Sequence, residues 1–356
     1  MKIIVDAFGG DNAPLEILKG CAMAVSEYGI NVLLVGSKEK IEGIANSNNI
    51  LLYHMEIVDA PDVMEMSDDS AEIMKSKSNS SMAVGLSLLA EGKGDAFISA
   101  GNSGALVMGA TFIVKRIKGI KRCAFAPVIP KDNGCFMLID SGANVECRPE
   151  MLEQFGIMGS IYMSRVMGFG KPRVGIANIG TEEHKGGELQ REAYLKLKDS
   201  GLNFVGNIEA REIPIDAAEV VVADGFTGNI ILKTYEGVAT ILMSKIKGVL
   251  TKNIKNKVAA ALLLPDMKAL KREIDYNEYG GAPIMGLSKP VFKAHGNSTA
   301  KTFKNAIRLT IDYVNGDVIK EIFNAVSSTG KVDEVVETKE AAEKIVDKKG
   351  TADLEK

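Results

Sequence analysis

The sequence has few of the residues that build disulfide frameworks and metal sites. Its 356 residues include four cysteines, three histidines and no tryptophan. Four scattered cysteines in a chain of this length do not predict a disulfide framework. His54, His184 and His295 have no cysteine or histidine at the spacing of metal ligands. We therefore expect a protein of a reducing compartment, without a bound metal.

Long apolar runs and a strong excess of one charge are also missing. No run reaches the roughly 20 apolar residues that cross a bilayer, and the first residues do not have the pattern of a secretory signal. A formal net charge of −3 does not favour nucleic acid as a partner. With 46% hydrophobic and 25% charged residues, the composition is that of a globular enzyme with a large core.

Short β-branched runs alternate with longer helical patterns along the chain. The apolar runs lie at residues 3–5, 32–35, 97–98, 136–139, 174–177, 204–205 and 220–223, and the first helical pattern covers about 15–28. This alternation predicts an α/β fold with a mostly parallel sheet between helix layers. Ligands bind such sheets at the carboxyl ends of the strands, so we expect the loops there to carry the chemistry.

Two regions interrupt the alternation. Residues of about 228–273 are almost wholly helical in pattern and are interrupted at Pro265, which predicts a helical hairpin that projects from the sheet. After Gly330 the chain becomes rich in lysine and glutamate with little apolar content, which is typical of a solvated tail. We therefore predict one catalytic domain over residues 1–330 and a charged tail over 331–356.

Five loops of small residues follow predicted strands. They read DAFGGDNAP at 6–14, SAGNSGA at 99–105, ANIGTEEHKGG at 177–187, DGFTGN at 224–229 and YGGAPIMG at 279–286, the last leading to HGNS at 295–298. Each loop alone is equally well explained as a simple turn. Together they favour an anion site, because strand-to-helix junctions present unpaired N–H groups and a positive dipole end. The first loop has neither a dinucleotide fingerprint nor a P-loop, which argues against a nucleotide cofactor.

These five loops, in this order and spacing, resemble those of the PlsX family of phosphate acyltransferases. The resemblance extends to about residue 325, with conservative departures such as Phe8 for methionine and Ser103 for threonine. It implies a Rossmann-like three-layer αβα sandwich, a homodimer and no organic cofactor. It also implies acyl carrier protein as the acyl donor, inorganic phosphate as the acceptor, and a membrane glycerol-phosphate acyltransferase that uses the acyl phosphate.

The chemistry of such a transfer limits what the protein must supply. Phosphate dianion is already a nucleophile and a thiolate leaves readily, so positioning and charge stabilisation should dominate. We predict Lys185, Asn229 and His295 as catalytic residues, with the last two stabilising the thioester oxyanion. The predicted phosphate- and substrate-binding residues are Asp6, Gly9, Gly10, Asp11, Asn12, Gly101, Asn102, Ser103, Gly180, Asp224 and Gly225. Among them, the aspartates should orient loop amides and Lys185.

One other mechanism of acyl transfer and two other functions remain open at this point. A covalent acyl-cysteine would need a thiolate with a base in reach, and Cys147 beside Arg148 is the candidate, because Cys21, Cys123 and Cys135 lie in strand or helix patterns. The other two are an NAD(P)-dependent dehydrogenase on a related fold and a non-catalytic, membrane-associated scaffold for lipid enzymes.

Two basic segments suggest contacts with partners. Lysines surround an apolar stretch at 252–272, and Leu262, Leu263 and Leu264 would touch anionic lipid if this stretch forms the tip of the hairpin. A core or dimer helix explains the same pattern equally well. The basic run at 115–122 would attract the acidic carrier protein, although solvated surface is the commoner meaning of such a run. We therefore expect a cytoplasmic enzyme that associates peripherally with the inner face of the cell membrane.

Overall fold

The computed structural model describes residues 1–274 and 279–327. The predicted tail over 331–356 lies outside the described residues. Twelve strands occur in this part of the chain: β1 (Lys2–Asp6), β2 (Asn31–Gly36), β3 (Met55–Asp59), β4 (Ala96–Ser99), β5 (Ala124–Phe125), β6 (Val128–Lys131), β7 (Gly134–Ile139), β8 (Val174–Asn178), β9 (Phe204–Glu209), β10 (Val220–Val222), β11 (Gly281–Met285) and β12 (Val291–Ala294).

These strands form two mostly parallel sheets. The first has the order β3-β2-β1-β4-β12-β11-β5, and the second has the order β6-β7-β10-β8-β9. In the first sheet, only the pairings of β11 with β12 and with β5 are antiparallel. In the second, only the β6–β7 pairing is antiparallel. The predicted α/β class with mostly parallel strands is therefore confirmed, with the strands divided between two sheets.

Helices cover the faces of both sheets. They are α1 (Leu15–Tyr28), α2 (Lys38–Ser47), α3 (Ser81–Ala90), α4 (Ser103–Gly109), α5 (Pro149–Arg165), α6 (Glu188–Asp199), α7 (Gly225–Thr251), α8 (Ile254–Leu262), α9 (Leu264–Ile274) and α10 (Ala300–Asn315). A further helix runs over 318–327. Central strand residues such as Ile4 and Val221 are fully buried, because helices lie on both sides of them.

The core is continuous between the two sheets. Val5 of β1 and Val222 of β10 belong to one hydrophobic cluster, which also includes Phe155 of α5 and Phe303 of α10. This shared core supports the proposal that residues 1–330 act as one catalytic domain. Within the described ranges, no helix is both long enough and apolar enough to cross a bilayer.

The helical segment after β10 differs in detail from the predicted hairpin. Helix α7 begins at Gly225, because the Asp224 side chain caps it by accepting a hydrogen bond from Thr227 N at 2.8 Å. The chain turns at residues 252–253, between α7 and α8. Pro265 is the second residue of α9, where its missing N–H costs no helical hydrogen bond. The predicted tip of the hairpin at Pro265 therefore corresponds to the junction between α8 and α9.

Candidate active site

Two adjoining cavities lie between the two sheets. Their volumes are about 370 Å³ and about 530 Å³, and Ser103, Phe125, Leu232 and Lys233 border both of them. Loops after β1, β4 and β12 contribute to the walls from the first sheet. The loop after β7 and the beginning of α7 contribute from the second. The carboxyl ends of strands from both sheets thus converge on one cleft, the usual position of a ligand site in α/β folds.

Asp6 lies beneath this cleft rather than in its wall. Only 1% of its surface is exposed, and its carboxylate accepts hydrogen bonds from Ser81 Oγ and Ser99 Oγ, both at 2.6 Å. Ser99 Oγ in turn accepts a bond from Gly101 N at 3.0 Å. Burial raises the pKa of Asp6, and the two serine bonds oppose that shift. The carboxylate therefore connects the first loop to the second, which agrees with an orienting role.

Gly9 and Asn102 complete the connection between these loops. A Cβ on Gly9 would lie 2.6 Å from both Asp6 Oδ2 and Gly101 N, so no larger residue fits this approach. The Asn102 side chain caps α4 by accepting from Ala105 N at 3.0 Å and donates to the carbonyl of Asp68 at 3.1 Å. Ser103 follows at the exposed start of α4, where both cavities meet.

The first cavity also contacts the loop after β12. Asp11 N donates to Gly296 O at 2.8 Å, and Asn12 Nδ2 donates to Asn297 O at 3.0 Å, so the first and last loops of the site are joined. His295 borders this cavity and is partly buried. Burial lowers the pKa of His295; Glu236 opposes the shift, whereas Lys293 and Lys233 add to it. Burial therefore favours the neutral form of the imidazole.

The second cavity extends to Asn229 on the first turns of α7. The helix begins against the loop after β7, where Gly225 N donates to Asn144 O at 2.7 Å. Asp140 shapes that loop, because its carboxylate accepts from the N–H groups of Phe125 at 2.9 Å and Asn144 at 2.7 Å. Asn229 is exposed next to Gly142 of the same loop, so its amide is available to a ligand in the second cavity.

Gly180 and Lys185 lie on the loop after β8 and border neither cavity. The Asn178 side chain donates to Lys185 O at 3.1 Å, and Lys185 Nζ lies 3.9 Å from a carboxylate oxygen of Glu182. The Lys185 side chain is 40% exposed. Because β8 pairs with β10, this loop lies at the same edge of the sheet as Asp224. The structure therefore brings Asp11, Ser103, Asn229 and His295 to the cleft and leaves the Lys185 loop beside it.

Comparison with known proteins identifies the family. The family model described as "Fatty acid synthesis protein" matches residues 1–321. This chain belongs to the PlsX family. A protein named phosphate acyltransferase from Caldanaerobacter subterraneus is 45% identical over 331 residues, which is 93% of this chain and 98% of that protein. One of the same name from Acetivibrio thermocellus is 48% identical over 308 residues, 86% of this chain and 91% of the relative. Membership makes this chain an acyltransferase.

Solved structures show where the PlsX fold recurs. A phosphotransacetylase from Streptococcus pyogenes superposes with a TM-score of 0.60 over 88% of this chain and 94% of that one, at 16% identity. The EutD phosphotransacetylase from Staphylococcus aureus gives a TM-score of 0.56 with the same coverage and identity. At this identity the likeness concerns the fold alone. It confirms the α/β architecture expected for a PlsX protein.

The sequence prediction missed several residues that border the PlsX cleft. The loop after β7 reads DSGAN at 140–144, and this run of small polar residues is similar in composition to the five predicted loops. Lys233 follows the start of α7 and borders both cavities. Lys293 lies within β12 and borders the first cavity. A single lysine inside an apolar strand is a signal that could have been recognised from the sequence.

The covalent acyl-cysteine alternative loses support in this PlsX structure. Burial, with the nearby charge of Asp140, raises the pKa of Cys147 to about 11. Burial also raises the pKa values of Cys21, Cys123 and Cys135. A thiol with a raised pKa is a poor nucleophile, because the reactive species is the thiolate. Across residues 1–274 and 279–327, no group of three or more His, Cys, Asp or Glu residues is arranged to hold a metal ion.

Proposed function

We propose that the protein transfers a long-chain fatty acyl group from acyl carrier protein to inorganic phosphate. The product is an acyl phosphate, formed reversibly for phosphatidic acid synthesis and used by a membrane glycerol-phosphate acyltransferase. The observation that carries this proposal is the pair of cavities that meet at Ser103 and Lys233, since they give two substrates adjacent sites. Relatives named phosphate acyltransferase over nearly the whole chain support phosphate as the acceptor.

Direct attack needs no covalent enzyme intermediate. A phosphate oxygen attacks the thioester carbonyl carbon, a C–O bond forms, and the C–S bond breaks to release the carrier-protein thiolate, which takes a proton from solvent. Asn229 offers an amide N–H to the developing oxyanion. A neutral His295 offers an N–H in the same way, without a change of charge. Such donors act most strongly where negative charge develops in the transition state.

The first cavity suits the acceptor anion. His295, Lys233 and Lys293 border it, together with the loop of Asp11 and the start of α4 at Ser103. Lys293 and the loop N–H groups supply positive potential for a phosphate dianion, and Lys233, which also pairs with Glu236 at 3.0 Å, lies beside them. We keep Lys185 as a further candidate, because its loop adjoins the same edge and a side chain of this length can reorient when substrates bind.

The second cavity suits the acyl donor. Val107, Met108 and Phe112 give it an apolar wall, whereas Arg116 and Arg122 border it from the basic run at 115–122. In that run Ile117 and Ile120 are each 5% exposed and anchor the segment, and its basic residues are exposed. A basic surface beside an apolar cavity would attract an acidic carrier protein and receive its acyl chain.

The hairpin gives this chain an exposed apolar surface for a homodimer or a membrane. Leu262, Leu263 and Leu264 are 78%, 47% and 49% exposed at the joint of α8 and α9. Val238, Ile241 and Val249 on α7 are each at least 60% exposed. A monomer rarely exposes a contiguous apolar surface of this kind. We propose that a second copy covers the α7 face and that the three leucines contact lipid, where flanking lysines meet anionic headgroups.

Phosphate-dependent thiol release tests the proposed reaction. Long-chain acyl carrier protein and phosphate are mixed with the enzyme, free thiol is measured, and the acyl phosphate is trapped as a hydroxamate. We expect both products in equal amounts and neither without phosphate. Absence of release with a long-chain donor would reject the proposal. Family membership supports neither the dehydrogenase nor the scaffold, and a fluorescence titration with NAD(P) checks the former directly.

A further inference from the structure

Lys293 is a buried cation that has no carboxylate partner among the described residues. Lys293 is 7% exposed and borders the first cavity. The ammonium donates to Ala100 O at 3.0 Å and to the carbonyl oxygen of Ala294. In the described part of the chain, no carboxylate oxygen lies within 4.0 Å of its Nζ. A buried charge of this kind is costly unless it is paired.

The arrangement leaves one N–H of Lys293 for a ligand. A lysine ammonium has three donors, and two of them reach the carbonyl groups of Ala100 and Ala294. These two carbonyls hold the ammonium between the ends of β4 and β12, where the cavity wall lies. The structure thus combines a fixed cation, a free donor and a cavity large enough for a small anion.

We propose that Lys293 is the fixed cation of the phosphate site and that it donates a hydrogen bond to the acceptor phosphate. This inference rests on the proposed function for the identity of the anion. It gives Lys293 direct contact with the substrate, whereas Lys185 remains beside the cleft. A purely structural lysine that only joined β4 to β12 would not need to border the cavity or to carry charge.

The ionisation of Lys293 gives a second line of evidence. Burial lowers its pKa to about 8, although Asp11 and Asp6 oppose the shift. The other charged or titratable groups facing it are Lys233 and Glu236 from α7 and His295 from the end of its own strand. A bound phosphate dianion would stabilise the ammonium and raise this pKa. Phosphate affinity should therefore weaken above about pH 8, as the free lysine loses its proton.

Phosphate binding without an acyl donor tests this inference separately from acyl transfer. Calorimetric titration with inorganic phosphate is compared for wild type, Lys293→Gln, Lys293→Arg and Lys289→Gln. The glutamine keeps an N–H donor on a slightly shorter side chain but carries no charge. We expect Lys293→Gln to weaken phosphate binding by about 10- to 100-fold, the range for a lost charged hydrogen bond. Lys293→Arg should lose much less phosphate affinity, because it keeps the charge.

The control variant is Lys289→Gln. Lys289 is exposed before β12 and borders neither cavity, so Lys289→Gln should bind phosphate normally.

Wild type itself provides a measurement that does not depend on the folding of a variant. Its dissociation constant for phosphate is measured at several pH values on both sides of pH 8. On the alkaline side phosphate is already a dianion, so changes there report on the protein. Above that pH, we expect the affinity to fall towards that of Lys293→Gln, about 10- to 100-fold in all. Equal phosphate affinity in wild type and Lys293→Gln, a flat pH dependence, or no phosphate binding by wild type would each overturn the inference. Normal binding with no acyl transfer would instead reject the proposed function.

Discussion

The backbone of Gly228 in α7 packs against the carbonyl oxygen of Asp140. A Cβ placed on Gly228 would lie 1.9 Å from that oxygen, and one on Gly225 would lie 2.5 Å from Asn144 O. Two glycines one helical turn apart therefore allow α7 to begin directly against the loop after β7. This close packing holds Asn229 at the border of the second cavity.

Gly228→Ala should disrupt that contact. We expect the free energy of unfolding to fall by about 1–3 kcal/mol, because the added methyl group forces the helix away from the loop. Activity should fall at least about tenfold with it, because Asn229 moves too. Gly237 lies in the same helix with nothing within 4 Å of its Cβ position, so Gly237→Ala should be neutral or stabilising. Denaturant unfolding and thiol release on both variants provide the measurement; equal behaviour would contradict the packing argument.

Asn229→Ala should lower kcat more than it raises the KM for either substrate. A donor aimed at the oxyanion acts mainly in the transition state, and its loss costs about 100- to 1,000-fold in comparable sites. Steady-state kinetics with varied phosphate and varied acyl carrier protein separate the two constants. Asn133→Ala, in the exposed turn between β6 and β7, is the control for general damage. A change confined to KM would count against the proposed role.

Lys185→Ala tests the predicted catalytic lysine against Lys293. Its side chain is 40% exposed and borders neither cavity, so the substitution should leave the melting temperature unchanged. If Lys185 reaches bound phosphate, the rate at subsaturating phosphate should fall by about tenfold or more. Lys198→Ala is a matched control, because Lys198 is also exposed and pairs with Glu183 in the same loop at 3.3 Å. An unchanged rate would remove Lys185 from the site.

Leu263→Glu tests the membrane proposal for the joint of α8 and α9. Burying a leucine is worth about 1.5–3 kcal/mol, so a carboxylate there should largely abolish a weak lipid contact and be repelled by anionic headgroups. We expect a folded, dimeric and active variant that no longer pellets with anionic liposomes. Leu195→Glu on α6 is the control, because that leucine is 52% exposed on another surface.

Other outcomes for Leu263→Glu have distinct meanings. A lower melting temperature, or dissociation in gel filtration, would place Leu263 in a protein interface instead of a lipid contact. Pelleting equal to that of wild type would end the membrane hypothesis for this residue. Liposome sedimentation, thermal unfolding and gel filtration on the same two variants therefore separate lipid from protein contacts.

Local patterns in the sequence were sufficient for seven of the twelve described strands, but not for β3, β5, β6, β11 or β12, and they located four residues that border the cleft. Runs such as residues 3–5 and 220–223 are apolar and β-branched, and each is followed by turn-forming residues, so strand ends could be recognised. Asp11, Ser103, Asn229 and His295 could then be placed together, because the carboxyl ends of parallel strands share one edge. The same reasoning applies to residues 140–144, whose composition is similar.

Only the tertiary structure decided how the strands pair and which lysine is buried. In the first sheet, β12 lies between β4 and β11 although almost 200 residues separate it from β4. Such pairings depend on packing between distant segments, so no local pattern encodes them. The same packing buries Lys293 and leaves Lys185 exposed. Both are lysines close to glycine-containing loops in the sequence, and their environments differ because the surroundings of a side chain are set by residues far away in the chain.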